Sequence, residues 1–403
     1  MTPAMPAGNK MTPAQLNAQA RSLINALAVP REQIIKTLGI AAVGTQNISQ
    51  SYPIVNITPR MVGLIRGFVV EIQATITNGS AVQIDLTDFG PANLLTQVQF
   101  QDLQNNTRIQ TPGWHLMMIN SVRGRRPFGT SLVRGTGFDS PMNFGSNFEN
   151  QISAPATIAP GASAVITMWY YVPLAYSEKD LRGAIYANVV NATMQLNLTF
   201  NPLPVVANGQ DSTLAMYVGD QAGSTALAVI SAATINVYQD YLDQLPAGQN
   251  GVILPPLDLA TIYELKNTIL NSIVANQDFP VQYANFRDFL STVAIFVNTG
   301  AGGIRQVGQD VNYWALQSAN FTNIWKRNPD RVAMITRGAL QVDPPPGTYY
   351  FGSRERPIST QQYGNMELVL NAATAGTGNY MLLGFEDFAM LNNVVNAGSL
   401  PAA

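Results

Sequence analysis

Few residues of this chain could do covalent or metal chemistry, and His115 is its only histidine. The 403 residues include no cysteine, so disulfides and thiolate ligands are excluded. A lone histidine cannot make a typical zinc site. His115 follows Trp114 in an apolar stretch that predicts a strand from Trp114 to Ile119. We therefore predict that His115 is structural, and that the chain has no metal site and no cofactor.

Paired carboxylates are the second candidate, because glycoside hydrolases on β-scaffolds need only two of them. The sequence has three close pairs: Asp85 with Asp88, Asp240 with Asp243, and Glu386 with Asp387. Asp88 stands before Gly90-Pro91, and Asp243 stands before a segment rich in Pro and Gly, which indicates turns at both. A carbohydrate-active β-sandwich enzyme and a receptor-binding protein remain alternatives, but we predict no catalytic residue.

Charged side chains are scarce, at 11% of the residues against about 25% in an ordinary globular protein. The 35 Asn and 27 Gln outnumber the 46 charged residues, so amides supply much of the polarity. Amides can pair across a contact without the desolvation cost of burying charge, which favours a protein packed closely with many copies of itself. The net charge of −2 gives no attraction to nucleic acid, and no apolar run is long enough to span a bilayer.

The first 50 residues predict a basic, helical arm. Thr12-Pro13 is a helix start, and an apolar stripe at helical spacing follows it: Leu16, Ala20, Leu23, Ile24 and Leu27. A second short helix is predicted from Pro30 to Leu38. Four basic residues stand against Glu32 alone: Lys10, Arg21, Arg31 and Lys36. A basic amphipathic helix can lie on an anionic membrane, so we predict that these four face one. Packing of the stripe on the protein itself or on a neighbour stays open.

Residues 51–245 predict a first β-domain. Period-2 alternation or β-branched runs predict strands at 62–77, 94–100 and 194–200, and the Pro-Gly at 160–161 predicts a hairpin within 157–172. Ser177, followed by Glu178 and Asp180, is typical of a capped helix start, so a helix is predicted over 177–187.

Residues 246–391 predict a second β-domain, which begins with a linker at 246–256 that contains three prolines. A helix is predicted over 329–340, with Asn328 as its N-cap. The two halves correspond, because Tyr170-Tyr171 leads to an alternating strand at 194–198 and Tyr349-Tyr350 to another at 366–370. The fold class is therefore all-β, with two consecutive eight-stranded jelly rolls, each with one inserted helix, and an N-terminal amphipathic helix. Residues 392–403 form an uncharged C-terminal arm.

Several motifs resemble those of the major capsid protein of tectiviruses, which are bacteriophages with an icosahedral shell over an internal membrane. The resemblance begins with LTDFGPANL at 86–94 and GWHL at 113–116. Further similar blocks follow in the same order: 154–158, 172–178, 241–246, 248–251, 282–285, 362–365 and 395–398. The first 50 residues match poorly, and the Arg-rich stretch 122–139 is longer than its counterpart.

The resemblance implies a double jelly-roll structural protein of the virion. It implies a homotrimer that forms a pseudo-hexagonal capsomer, assembled in the host bacterial cytoplasm and tiling the outer icosahedral capsid. The expected partners are further copies of the chain, minor capsid and vertex proteins, and the underlying viral membrane through the N-terminal arm, with no direct contact to nucleic acid. We expect the two termini to adopt different conformations at different lattice positions.

Overall fold

The structure is a computed structural model that describes residues 13–43, 46–122, 154–177, 180–187, 193–219, 229–246, 261–283, 287–298, 311–320, 323–340, 347–352, 357–373 and 379–390. Within these ranges the chain is mainly β. The helices are α1 (Pro13–Leu27), α2 (Ile48–Ser51), α3 (Gly113–Val122), α4 (Pro329–Leu340) and α5 (Thr360–Tyr363), with a 3-10 turn at Ala92–Leu94.

The strands of the first half are β1 (Val29–Ala41), β2 (Val55–Ile57), β3 (Leu64–Thr77), β4 (Ile84–Leu86), β5 (Leu95–Gln101), β6 (Thr107–Thr111), β7 (Thr157–Ile158), β8 (Ser163–Pro173), β9 (Ile185–Tyr186), β10 (Gln195–Phe200), β11 (Val205–Ala207), β12 (Tyr217–Gly219) and β13 (Val229–Asp243). Those of the second half are β14 (Thr261–Leu270), β15 (Asp278–Gln282), β16 (Arg287–Val297), β17 (Val311–Ser318), β18 (Trp325–Arg327), β19 (Thr348–Gly352), β20 (Ile358–Ser359), β21 (Met366–Ala372) and β22 (Tyr380–Met390).

Both halves are wound in the same way. In the first half, eight strands form one sheet in the order β1-β13-β3-β8 and another in the order β2-β10-β5-β6. In the second half the orders are β14-β22-β16-β19 and β15-β21-β17-β18. If the eight strands of each half are numbered along the chain, both halves have the orders 1-8-3-6 and 2-7-4-5. Each half is therefore a jelly roll, and the predicted fold class is confirmed.

One continuous sheet joins the two jelly rolls. Strand β6, the fifth of the first half, lies parallel to β14, the first of the second half, with Leu265 beside Ile109 and Lys266 beside Gln110. The second sheet of the first jelly roll therefore runs directly into the first sheet of the second. Helix α3 follows β6 and helix α4 follows β18, so the inserted helix stands between the fifth and sixth strands of each half.

Alternating side chains account for the strands that the sequence predicted. Strand β10 alternates partly exposed and buried positions along its whole length, and β3 and β13 place every second residue in the core of the first jelly roll. Helix α4 begins at Pro329 as predicted, and the side chain of Asn328 accepts a hydrogen bond from the Arg331 N–H at 3.1 Å. Helix α1 begins at Pro13, also as predicted.

The prediction of a strand from Trp114 to Ile119 is wrong, because these residues lie in α3. Every residue from Gly113 to Asn120 is buried. A helix that is covered on all sides shows no helical spacing of apolar residues, so its sequence cannot be distinguished from a buried strand.

The prediction of a helix from Pro30 to Leu38 is also wrong, because β1 covers these residues and pairs with β13 from Val29 to Ala41. The pairing has a β-bulge between Ile34 and Lys36. The extra residue breaks the period of two and leaves apolar residues at a spacing that imitates a helix.

Two further predictions in the first half need correction. Residues 180–187 contain turns and the short strand β9, and not a helix. The Ser177 side chain does accept a hydrogen bond from the Asp180 N–H at 2.9 Å, but it closes a turn. The segment 157–172 is not a hairpin, because β7 pairs with β4 whereas β8 pairs with β3 in another sheet.

Candidate functional site

His115 is buried in α3 and lies against the second jelly roll. Its Nδ1 is 2.5 Å from the Thr111 hydroxyl, and its ring lies against Gly384 of β22. Burial lowers the pKa of His115 to about 3, although the negative charge of Glu386 opposes that shift. The imidazole is therefore neutral at physiological pH. No group of three or more potential metal-binding His, Asp or Glu residues occurs in the described part of the chain.

The pair Glu386 and Asp387 does not form a two-carboxylate site. Consecutive residues of a strand point to opposite faces, so the two side chains diverge. Glu386 is fully buried and accepts hydrogen bonds from the hydroxyls of Tyr263 at 2.9 Å and Ser291 at 2.5 Å. Asp387 is also buried, beside Arg287 of β16. Neither carboxylate can reach a polysaccharide.

The carboxylates of the other two pairs make structural contacts with neighbouring side chains or lie in a turn. Asp240 is buried and accepts hydrogen bonds from Arg66 at 2.5 Å and from the Tyr171 hydroxyl at 3.2 Å. Asp243 ends β13 and forms an exposed ion pair with Arg31 at 2.9 Å. Asp85 accepts a hydrogen bond from the Gln83 side chain, and residue 88 lies in a turn as predicted. These carboxylates stabilise strands and turns.

The predicted membrane-facing residues that the structure describes lie on α1 and β1. Arg31 is bound to Asp243, and Lys36 is exposed on β1. Arg21 is half-buried on α1, and Lys10 lies outside the described residues. Among the described residues, no helix is both long and apolar enough to cross a membrane.

Helix α1 packs one edge of its apolar stripe on the first jelly roll. Ile24 is buried in a small cluster with Leu64, which begins β3, and with its strand partner Leu242 near the end of β13. Leu23 and Leu27 are 40% and 58% exposed. The helix is therefore attached to the body of the protein and still exposes large apolar side chains.

The junction between the halves contains buried aromatic and charged side chains. Arg182 of the first half lies over the Phe388 ring of the second, with 4.3 Å from Cζ to the ring centroid. Tyr176 also lies against Phe388 and Tyr263. The Gly183 backbone is so close to Tyr263 that a side chain would not fit there. The sequence predicted none of these contacts, because they join residues that are more than 75 positions apart.

Comparison with known proteins identifies what such a molecule does. The family model for the N-terminal part of P3 major capsid proteins matches residues 1–245, and the model for their C-terminal part matches residues 260–402. The chain is 40% identical to the major capsid protein P3 of Enterobacteria phage PRD1, over 97% of this chain and 98% of that one. This chain belongs to the P3 major capsid protein family.

Solved structures show the same fold at much lower identity. The structure of the STIV MCP is 12% identical, has a TM-score of 0.61, and covers 92% of this chain and 99% of its own. A chain of the PBCV-1 virus capsid is also 12% identical, with a TM-score of 0.52, and covers 90% and 94%. These similarities support the double jelly-roll fold alone.

As a P3 major capsid protein, the chain is a structural component of the outer capsid of a phage virion. The resemblance to the tectivirus protein is thereby confirmed. Its functional surfaces are the faces on which copies pack. Sequence reasoning did not locate these faces.

Proposed function

We propose that this capsid protein assembles as a homotrimer whose six jelly rolls form a pseudo-hexagonal capsomer, and that capsomers tile an icosahedral shell over an internal membrane. The observation that carries the proposal is the identical strand order of the two halves and their connection in one sheet through β6 and β14. Two equivalent barrels in one chain need only threefold closure to surround an axis with six.

Surface composition supports close packing of copies. The low charge of the chain keeps the desolvation cost of such contacts small. Large apolar side chains are exposed at several separate places on the described surface: Leu27, Ile34, Ile54, Val165, Leu203 and Met334. The predicted boundary at residue 51 needs correction, because β1 is the first strand of the first jelly roll. We take residues 29–245 and 246–391 as the two assembly domains, with residues 1–28 and 392–403 as arms.

The mass of the purified protein in solution tests the trimer. Light scattering should give a species of about three times 43.5 kDa that survives mild heating. A stable monomer over the whole accessible concentration range would overturn the proposal. The same protein should turn over no polysaccharide, because we propose that it is not an enzyme.

The arm supports a contact with the membrane. Arg21 and the exposed Leu23 and Leu27 of the arm, together with Lys36 of the following strand β1, combine positive charge with apolar surface, which suits an anionic bilayer. Arg31 contributes less, because Asp243 neutralises it. The full chain should float with vesicles that contain anionic lipid, and Arg21→Glu with Leu27→Asp should abolish flotation. Equal flotation of wild type and variant would remove the arm from the proposal. In the assembled capsid, the outer edges of each capsomer contact the minor capsid and vertex proteins. The capsomer makes no direct contact with nucleic acid.

A further inference from the structure

Helices α3 and α4 can be aligned residue by residue. The Leu116 N–H bonds the carbonyl of Pro112 at 3.3 Å, and the Val332 N–H bonds that of Asn328 at 3.2 Å. Each of these hydrogen bonds closes the first turn of its helix. Pro112 and Asn328 therefore occupy equivalent positions, directly before α3 and α4. Leu116 and Val332 are both fully buried, as equivalent positions should be.

A second pair of contacts confirms the alignment. Eight residues after the cap in each helix, a buried side chain bonds the backbone of the sixth strand. The Asn120 amide donates to the carbonyl of Tyr171 at 2.8 Å, and the Thr336 hydroxyl accepts from the Tyr350 N–H at 2.8 Å. The repeated tyrosines of the sequence therefore occupy equivalent places, and helix residues three to six positions beyond the cap can be compared directly.

The two helices differ in what covers them. Helix α3 lies against β16 and α4 of the second half, and its Met118 is completely buried. Met334, the equivalent residue of α4, is 68% exposed. His115 is buried against β22, whereas its equivalent Arg331 is exposed. Helix α4 thus presents to solvent the face that α3 buries.

The surface that receives α3 also has an equivalent. The residues that pair across the sheet with Tyr171, and those that pair with Tyr350, form one row of three residues in each half. The two rows occupy equivalent positions. The rows are Tyr171, Val69 and Tyr238 in the first half, and Tyr350, Val293 and Gly384 in the second. Arg66 and Leu290, three residues before each row, are the extra residues of matching β-bulges. Tyr238 is therefore the equivalent of Gly384, on which His115 lies.

The outer face around Tyr238 has an excess of negative charge. Glu32 of β1 pairs in register with Asp240 of β13. Burial raises the pKa of Glu32, and the negative charge of Asp240 raises it further. Burial likewise raises the pKa of Tyr238, with added effects of Glu71 and Glu32. Arg66 neutralises Asp240 at 2.5 Å, and the negative charges of Glu32 and Glu71 remain around Tyr238.

The exposed side of α4 has the opposite charge. Burial lowers the pKa of Arg327, and the positive charge of Arg331 lowers it further. Like charges therefore repel one another on both surfaces of the isolated chain. Contact between the surfaces would relieve both repulsions.

We propose that α4 of one copy docks on the outer face of β1, β13 and β3 of a second copy, with Arg331 over the Tyr238 ring and beside Glu32. The contact repeats between chains the one that α3 makes on β22 and β16 within each chain. It covers Met334 and Ile34, which is 43% exposed, and places the edge of β18 beside β1, as β6 lies beside β14. Arg331 gains both an acidic partner and an aromatic face. This inference rests on the proposed homotrimer and identifies the residues that close it.

Charge reversal tests the contact without damaging the fold. Glu32→Arg removes the repulsion from Asp240 within the chain, and Arg331→Glu removes that on Arg327, so neither should unfold the monomer. Each single variant should raise the dissociation constant of the trimer by about tenfold or more. The double variant, in which the two charges are exchanged, should recover most of the loss. Glu367→Arg on β21, outside the proposed contact, is the matched control and should leave the trimer unchanged.

Disulfide trapping gives an independent test, because the chain has no cysteine of its own. A variant with both Tyr238→Cys and Arg331→Cys should form linked dimers and trimers under mild oxidation, and neither single variant should. A trimeric wild type whose variants stay trimeric and do not cross-link would overturn this contact and leave the homotrimer intact. A monomeric wild type would overturn both.

Discussion

The ring of His115 lies directly on the backbone of Gly384, although the two residues belong to different jelly rolls. A Cβ built on Gly384 would overlap the imidazole, with Cγ, Cδ2 and Nε2 of His115 as its nearest neighbours. The backbone of Gly384 is fixed by pairing with both β14 and β16, so it cannot move away. The junction of the two halves therefore depends on the absence of one side chain.

Gly384→Ala should consequently destabilise the protein. Forcing a methyl group into a filled core costs about 1 to 3 kcal/mol, and here the obstacle is a ring held by Thr111. Gly338→Ala in α4 is the matched control, because nothing lies within 4 Å of the position of its Cβ. Alanine favours a helix over glycine by up to about 1 kcal/mol, so this control should stabilise. Denaturant unfolding at fixed protein concentration should give a lower midpoint for Gly384→Ala than for Gly338→Ala. Equal midpoints would contradict the contact between His115 and Gly384.

Asp387 should make stability depend on pH. Its carboxyl lies beside Glu264, with Arg287 Nη1 at 3.6 Å, and burial raises the pKa of Asp387 to about 8. Because this value lies above the unfolded value of about 3.9, the folded chain binds more protons between the two. The contribution of Asp387 to the unfolding free energy should therefore be greatest below about pH 4 and should fall as the pH rises to 8.

The test compares unfolding free energies of wild type and Asp387→Asn from pH 4 to 9. The contribution of Asp387 has a slope of at most about 1.4 kcal/mol per pH unit, and the amide should remove it. The variant should gain stability over wild type as the pH rises. Asp85→Asn, at an exposed position, is the control and should leave the profile unchanged. Parallel curves for wild type and Asp387→Asn would show that Arg287 keeps the carboxyl charged.

Two arginine–aspartate pairs in one sheet offer a matched comparison of burial. The side chains of Arg66 and Asp240 are 14% and 11% exposed, and those of Arg31 and Asp243 are 48% and 39% exposed. Arg66→Leu leaves a buried carboxylate without its cation and should cost about 3 kcal/mol. Arg31→Leu should cost less than about 1 kcal/mol, because water screens the exposed pair. Thermal unfolding at low and high salt checks both, and similar losses would argue that Tyr171 alone sustains Asp240.

The sequence predicted correctly those elements whose signals lie within a few neighbouring residues. Helix α4 is amphipathic and has Asn328 at its start, so spacing and cap agreed, and its bounds were predicted correctly. Helix α3 was predicted as a strand because both of its sides are buried, one of them by the second jelly roll. Strand β1 was predicted as a helix because its partner β13 begins nearly 200 residues away. Burial by the second jelly roll decides the structure of α3, and pairing with a distant strand decides that of β1. Neither can be read from the residues of the element itself.

The same limit applied to the candidate sites. The sequence identified His115 as structural, but its partner Gly384 follows 269 residues later and has no side chain to signal a role. Arg31 was assigned to a basic surface, but the sequence did not predict the antiparallel register that places it opposite Tyr241 and within 2.9 Å of Asp243. The charges of one strand therefore predict the charge of a protein surface only when the residues of the neighbouring strand are also known.

Asn78 and Asn208 are each followed by glycine, yet they should respond differently to conversion into aspartate. Asn78 is completely buried, and its amide nitrogen donates to the carbonyls of Val82, Ile158 and Ala159 at 2.8 to 3.2 Å. A carboxylate in place of this amide could keep the two hydrogen bonds that Ser80 donates to Oδ1, but its second oxygen would face the same three carbonyls without a donor. We expect Asn78→Asp to cost about 3 kcal/mol. Asn208 is exposed, so Asn208→Asp should change the unfolding free energy by less than about 0.5 kcal/mol. Urea unfolding of the two variants at pH 7 tests this difference. A tolerated Asn78→Asp would mean that water enters beneath β4 and β7 and replaces the lost donors.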